Sequence, residues 1–296
     1  TSTLQSPRRA PTSSAMPDTT ATPEVFAGLP CVRLRLDADN HLLVALHGGH
    51  GLSWVASGAE QLYLSPRSLL DGRAAIRGGV PVCFPQFNER GPLPKHGFAR
   101  NQPWVAGDAT AQDGSVQLAL TLDSNPATLA LWPHDFRLQL TFTLARGRLA
   151  LDVSVDNTGT TPLSFMLALH TYFRVADIGQ TRVDGLDGCA SWDSLVDIHS
   201  HHQGAIHFTG EFDRVFTAAA APLQFTDGHK TVQVAQSASL GNTVVWNPGA
   251  AKCATLADMP PDGYVQMLCI EAAQIDTPVT LAAGARWTGG QHLALV

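Results

Sequence analysis

The sequence predicts an all-β protein, a large antiparallel β-sandwich built as one domain. Apolar residues recur with period two over several stretches, as strands with one buried face require. No dozen-residue stretch shows a convincing i, i+3, i+4, i+7 apolar stripe of the kind an amphipathic helix needs. Nineteen prolines and 26 glycines interrupt the chain often, which suits short strands joined by turns. With 296 residues, 44% of them apolar and 15% charged, there is material for a substantial core, and large sandwiches commonly use this length in one piece.

Residues 1–24 read as a flexible tail, rich in Ser, Thr and Pro and nearly without apolar periodicity, so burial there cannot offset the entropy of ordering. Arg8 and Arg9 stand among 17 residues without an acid, which leaves an organelle transit segment open beside a plain tail; Met16 leaves open a native start behind added residues. The folded domain is expected over residues 25–296. Its first clear strand alternates at Val32, Leu34 and Leu36. The run His47-Gly48-Gly49-His50-Gly51 looks like the oxyanion loop of some esterases, but no GxSxG elbow accompanies it, and a Gly-rich turn between strands is the better reading.

Val116, Leu118, Leu120 and Leu122 alternate next. Phe136, Leu138, Leu140, Phe142 and Leu144 follow, with Arg137, Gln139, Thr141 and Thr143 between them. A turn signal at Ala145-Arg146-Gly147-Arg148 precedes renewed alternation at Leu149, Leu151, Val153 and Val155, which stops at Asp156-Asn157-Thr158-Gly159 and completes a hairpin. His199, His201, His202 and His207 could supply metal ligands, but the next acid after His201 is Glu211, and Ser200, Gln203 and Gly204 around them suggest an exposed loop; no metal site is expected.

A formal net charge of −6 argues against nucleic-acid or anionic-membrane binding, which needs excess Lys and Arg. No run of about 18 apolar residues suggests a membrane span. There is no phosphate loop, GxGxxG fingerprint or HExxH pair, so no nucleotide, redox or metal cofactor is expected. The five cysteines (Cys31, Cys83, Cys189, Cys253 and Cys269) are scattered, without a CxxC pair, and four have apolar neighbours; reduced, buried thiols and a cytoplasmic location are expected.

Between Gly72 and Trp104 lie Arg73, Arg77, Arg90, Lys95 and Arg100 against Glu89 alone, a local charge of +4 in an acidic chain. Arginine's planar fork suits phosphate, and Gly78-Gly79 would let backbone approach an anion closely. A scattered basic face of this kind can equally be solvated surface.

Six ordered segments then carry a resemblance: SPRSLLDGRAAIRGGVPVCFPQF (65–87), LPKHGFAR (93–100), LALHTYFRV (167–175), EFDRVF (211–216), TVVWNP (243–248) and DMPPDGYVQMLCIEAAQI (258–275). Together they closely resemble the D-hexose-6-phosphate mutarotases, or glucose-6-phosphate 1-epimerases, within the aldose 1-epimerase superfamily. The likeness runs from about residue 30 to the C-terminus. It implies a galactose mutarotase-like β-supersandwich that interconverts the α and β anomers of a small-molecule hexose phosphate without a cofactor; a monomer is expected, though no residue pattern speaks to it. It further implies His170 as general acid, Glu271 as general base, Arg77 and Arg100 as phosphate-binding residues, Asp213 as a sugar contact and His96 as a second cleft histidine. The family motif usually reads QHGFAR; Lys95 in its first position either strengthens anion capture or extends into solvent.

Mutarotation needs one base at the anomeric hydroxyl and one acid at the ring oxygen. Histidine, with an ordinary pKa of about 6.5, is expected to hold a proton at cellular pH, and the apolar flanks of Glu271 suggest a desolvated, more basic carboxylate. Each residue also has a plainer reading: His170 as a hydrogen-bonded core histidine, Glu271 as partner of a buried arginine, and Asp213 as surface partner of Arg214. An epimerase of unphosphorylated aldoses and a non-catalytic carbohydrate-binding protein remain the alternatives.

Overall fold

The structure, a computed structural model, describes residues 20–296. Of the segment 1–24 expected to be a flexible tail, residues 20–24 belong to a strand. Thr20–Phe26 forms a strand that pairs antiparallel with Leu29–Asp37, from Thr20 opposite Arg35 to Phe26 opposite Leu29. Val25 and Phe26 stay exposed, so pairing to a neighbouring strand rather than burial orders this segment, and a reading based on hydrophobic periodicity misses it. Residues 1–19 lie outside the described residues.

Thr20–Phe26 opens a five-stranded antiparallel meander that continues through Leu29–Asp37, Asn40–Ala45, His50–Ala56 and Ala59–Glu60. The HGGHG run forms the expected turn in this meander, between Ala45 and His50. Two larger sheets build the sandwich. At the centre of the ten-stranded sheet lies the hairpin read from the sequence: Phe136–Ala145 pairs with Arg148–Asn157 around the two-residue turn Arg146-Gly147. Ser115–Asp123 flanks it on one side and Arg286–Leu295 on the other.

In the eight-stranded sheet, the order is Ile198–His201, Ala190–Asp193, Phe212–Thr217, Asn242–Asn247, Met267–Leu281, Leu163–Leu169 and Val82–Cys83, with Tyr172–Arg174 also pairing to Met267–Leu281. Inner faces of the two large sheets meet in one core that draws Phe165, Leu169, Phe173 and Ile270 from one and Leu138, Leu140, Val153 and Phe225 from the other.

The opposite face of the eight-stranded sheet carries the candidate residues His170, Glu271 and Asp213. Strand geometry sends alternate side chains to opposite faces. On Met267–Leu281, Leu268, Ile270 and Ala272 therefore enter the core, while Cys269, Glu271 and Ala273 point the other way. The same alternation turns Val244 and Trp246, Asp213 and Val215, and Met166 and Ala168 to that outer face. The segment 72–104 covers part of it, with Phe87 packed among Cys83, Val215 and Val244. All five cysteines are free, four of them buried and Cys189 half-buried.

Candidate active site

His170 and Glu271 meet because of strand register. Leu163–Leu169 and Tyr172–Arg174 both pair with Met267–Leu281, Leu169 opposite Ala272 and Tyr172 opposite Cys269. The break at residues 170–171 therefore falls directly across from Ile270 and Glu271. Continuing the alternation of Met166 and Ala168, His170 projects onto the outer face, where its Nε2 stands 3.3 Å from Glu271 Oε1. His170 Nδ1 and Glu271 Oε2 are buried without a hydrogen-bond partner. A satisfied core histidine and a carboxylate paired to a buried arginine would each look different. Two orphaned polar atoms so close together cost stability, and groups of this kind mark candidate functional sites.

Burial sets the electrostatics. It raises the Glu271 carboxyl well above the usual range, and the nearby Asp213 carboxylate adds to the shift. The His170 imidazole is pushed down to about 3, by burial first and then by the guanidinium groups of Arg100 and Arg77. The sequence-based expectation that His170 carries a proton at neutral pH thus fails for the ligand-free protein. Both shifts favour the neutral form of each group.

His96 lies beside the pair, its ring 5.5 Å from that of His170 and edge-on to it. Its backbone is left-handed, with φ of 65°, and Gly97 follows at 71°, so close to Phe84 that a side chain there would strike the Phe84 carbonyl. The Asn88 backbone N–H donates to His96 Nδ1 at 3.2 Å, so the neutral ring carries its proton on Nε2. Burial, His170 and Arg100 hold its pKa at about 2.

The basic segment divides. Arg77, Lys95 and Arg100 act on His170, whereas Arg90 lies 5.0 Å over the Trp192 ring and pairs with Asp276 at 3.0 Å, and Arg73 is exposed. Arg100 donates to the Lys95 carbonyl at 2.9 Å and keeps a buried, unpartnered Nε. Arg77 already has partners: its Nε donates to Asp258 Oδ2 at 3.0 Å and its Nη1 to the Tyr172 hydroxyl at 3.2 Å. Gly78 and Gly79 are needed for the protein's own packing, since a Cβ at either would collide with the Tyr63 or Gly51 carbonyl. His50 of the Gly-rich turn braces this loop through the Gly78 carbonyl at 2.7 Å.

Asp213 sits on the outer face two strands from Glu271, and burial raises its carboxyl. Arg214 points to the opposite face and bonds Asp193 at 2.7 Å, which disposes of the Asp213–Arg214 surface pair. The histidine cluster needs a correction too. His199 and His201 are exposed, as expected, but on the edge strand Ile198–His201 rather than in a loop, and His207 lies on Ile206–His207. Among the described residues no three His, Cys, Asp or Glu side chains gather as metal ligands.

Four contributors escaped the sequence reading. Tyr172 stacks on His170 at 4.8 Å and 10°, and Trp246 stands edge-on to both. Asp258 fixes Arg77. Gln291 reaches from the ten-stranded sheet, accepting from the Thr171 hydroxyl and donating to the Ile270 carbonyl at 2.9 Å, and so clamps the residues next to His170 and Glu271. A polar Gln291 two positions before Leu293, where period two calls for an apolar residue, was the one available signal.

Residues 30–294 match the sequence profile of the aldose 1-epimerase family. A protein of Cenchrus ciliaris, provisionally named a glucose-6-phosphate 1-epimerase, is 35% identical over 91% of this chain and 86% of its own length. Among solved structures, YeaD of Salmonella typhimurium, provisionally described as a mutarotase, superposes with a TM-score of 0.86 at 30% identity over 93% of each chain. A galactose mutarotase-like protein of Clostridium acetobutylicum shares the fold, with a TM-score of 0.72 at 15% identity over 94% of this chain and 99% of that one. The profile match over nearly the whole chain and the identity to full-length relatives show that this chain belongs to the aldose 1-epimerase family.

Proposed function

We propose that the protein interconverts the α and β anomers of a hexose 6-phosphate, with Glu271 as base and His170 as acid. The observation that carries this reading is the buried, unsatisfied Glu271–His170 pair within the field of Arg77, Lys95 and Arg100. Glu271 takes the proton of the anomeric hydroxyl, and His170 gives one to the ring oxygen as the bond from that oxygen to C1 breaks. The aldehyde rotates about C1–C2, and the same two protons return when the ring closes on the other face.

The electrostatics suit this cycle. An imidazolium whose pKa is near 3 is a strong acid, and a carboxylate whose pKa is raised is a strong base, so the site pulls the ring open toward its own neutral forms. Reaching the reactive imidazolium–carboxylate form is the costly part. A phosphate dianion among the cations weakens the repulsion that keeps His170 unprotonated, which ties turnover to the phosphate. Arg100, with an unpartnered Nε, and Lys95 are its main ligands, joined by the free edge of Arg77. The neutral His96 offers its Nε2–H, and the half-buried Asp213 accepts, so both serve to hold sugar hydroxyls.

Two-dimensional exchange NMR tests this with glucose 6-phosphate and with glucose. Wild type should accelerate exchange of the phosphorylated sugar far more, and Glu271→Gln and His170→Asn should abolish it. Equal acceleration of free glucose would remove the phosphate assignment, and no acceleration of either would favour a binding protein.

A further inference from the structure

We propose that Asp258 is a positioning residue that sets the His170 ring through Arg77 and Tyr172. Asp258 belongs to the loop between Cys253 and Gly263, far in sequence from both ends of the chain of contacts it starts. Its Oδ2 accepts from Arg77 Nε at 3.0 Å, Arg77 Nη1 donates to the Tyr172 hydroxyl at 3.2 Å, and the Tyr172 ring lies flat on His170 at 4.8 Å. Each link removes a freedom from the next. A guanidinium is rigid and planar, so fixing Nε and one Nη fixes its plane. A tyrosine bonded at its hydroxyl cannot tilt, and a stacked imidazole then keeps its azimuth toward Glu271.

The loop is itself held in place. The Asp258 carbonyl accepts from the Ser65 hydroxyl at 2.6 Å, and the Met259 carbonyl accepts from Arg67 Nη1 at 3.3 Å. Ser65 in turn donates its backbone N–H to the Arg77 carbonyl at 2.9 Å, closing the ring of contacts. Beneath them Met259, Tyr63, Tyr172 and Cys269 pack in one apolar cluster. Asp258 also offsets the charge of Arg77, so that the excess positive charge in the cleft comes from Arg100 and Lys95, two charges facing a dianion.

The kinetic half of the test rests on the function proposed above; the spectroscopic half does not. Imidazole ¹⁵N resonances of wild type and Asp258→Ala are compared, His170 being assigned from His170→Asn. His170, and with it the His96 ring packed against it, should shift or broaden in Asp258→Ala while the exposed histidines His199, His201 and His207 stay in place, although Asp258 does not touch His170. Unchanged His170 resonances would overturn the proposal. In anomer exchange of glucose 6-phosphate, Asp258→Ala and Tyr172→Phe should each lower kcat about 10-fold. Asp258→Asn, which keeps an acceptor oxygen, should recover most of it, and the double variant should be no slower than the worse single one. Single effects that multiply would overturn the chain of contacts. Should Asp258→Ala not fold, Asp258→Asn and Tyr172→Phe carry the same comparison. A wild type without exchange activity would sink the functional reading while leaving the resonance comparison to decide the positioning role.

Discussion

The two faces of the strand Met267–Leu281 are buried alike and built for opposite ends. Toward the core, Leu268, Ile270 and Ala272 meet apolar neighbours and strand pairing satisfies the backbone. On the outer face, Glu271 is equally buried, at 1% exposure, yet it keeps one oxygen without a partner, and burial raises its carboxyl well above the usual range. Burial on the first face stabilises the fold through area removed from water. On the second it withholds solvation from Glu271 and His170, a cost to stability that moves both groups toward their neutral forms.

Neighbouring substitutions should split these effects most widely. Glu271→Gln is expected to lower the rate of anomer exchange by about 10²- to 10⁴-fold, as loss of a general base does, while leaving stability to urea unchanged or higher. Ile270→Ala, one residue away, should cost about 2–5 kcal/mol in the same unfolding measurement. If Glu271→Gln destabilised the protein as much as Ile270→Ala, the contrast between the faces would be wrong.

Arg100 comes next in size. Arg100→Ala should raise KM for glucose 6-phosphate about 10- to 100-fold, the loss expected for a charged hydrogen bond, with little change for glucose. Steady-state kinetics on the two sugars gives the ratio.

Acid should act through the cleft-side histidines and His50. In the unfolded chain each takes a proton near its ordinary pKa of about 6.5, whereas in the fold His50, His170 and His96 wait until about 4, 3 and 2. Between about pH 6.5 and 4 the unfolded chain binds more protons, so stability falls as pH falls, by about 1.4 kcal/mol per histidine per pH unit at most. Glu271 works the other way, protonating first in the fold, so its contribution declines as pH rises above its unfolded value of 4.5. Urea unfolding in phosphate-free buffer should therefore give a lower midpoint at pH 5 than at pH 7. The smallest effect is expected at Arg90, engaged with Trp192 and Asp276 away from the pair. Arg90→Ala should leave kcat/KM within about twofold, since surface pairs contribute little.

Period-two alternation made the hairpin Phe136–Asn157 legible, because each side chain's face there is set locally. Thr20–Phe26 was not legible, since its order comes from a neighbour in the meander rather than from its own pattern. For the site, the resemblance supplied the names His170, Glu271, Arg77, Lys95, His96, Arg100 and Asp213, and register explains why the first two meet. Sequence could not say that Arg77 already holds Asp258, that Arg90 turns away, or that His170 is depressed. Each depends on residues more than 90 positions away or on burial summed over several strands.

Gln291 links all of this to folding order. Its side chain, in the last strand of the chain, holds Thr171, 120 residues earlier, and Ile270, 21 residues earlier. A growing polypeptide can form the hairpin Phe136–Asn157 early, because its contacts are local, but the residues beside His170 and Glu271 cannot be clamped until the strand Arg286–Leu295 docks between Arg148–Asn157 and Thr231–Gln236. Activity should therefore appear late in refolding, after most of the β structure, and so report that the final strand has closed the sandwich.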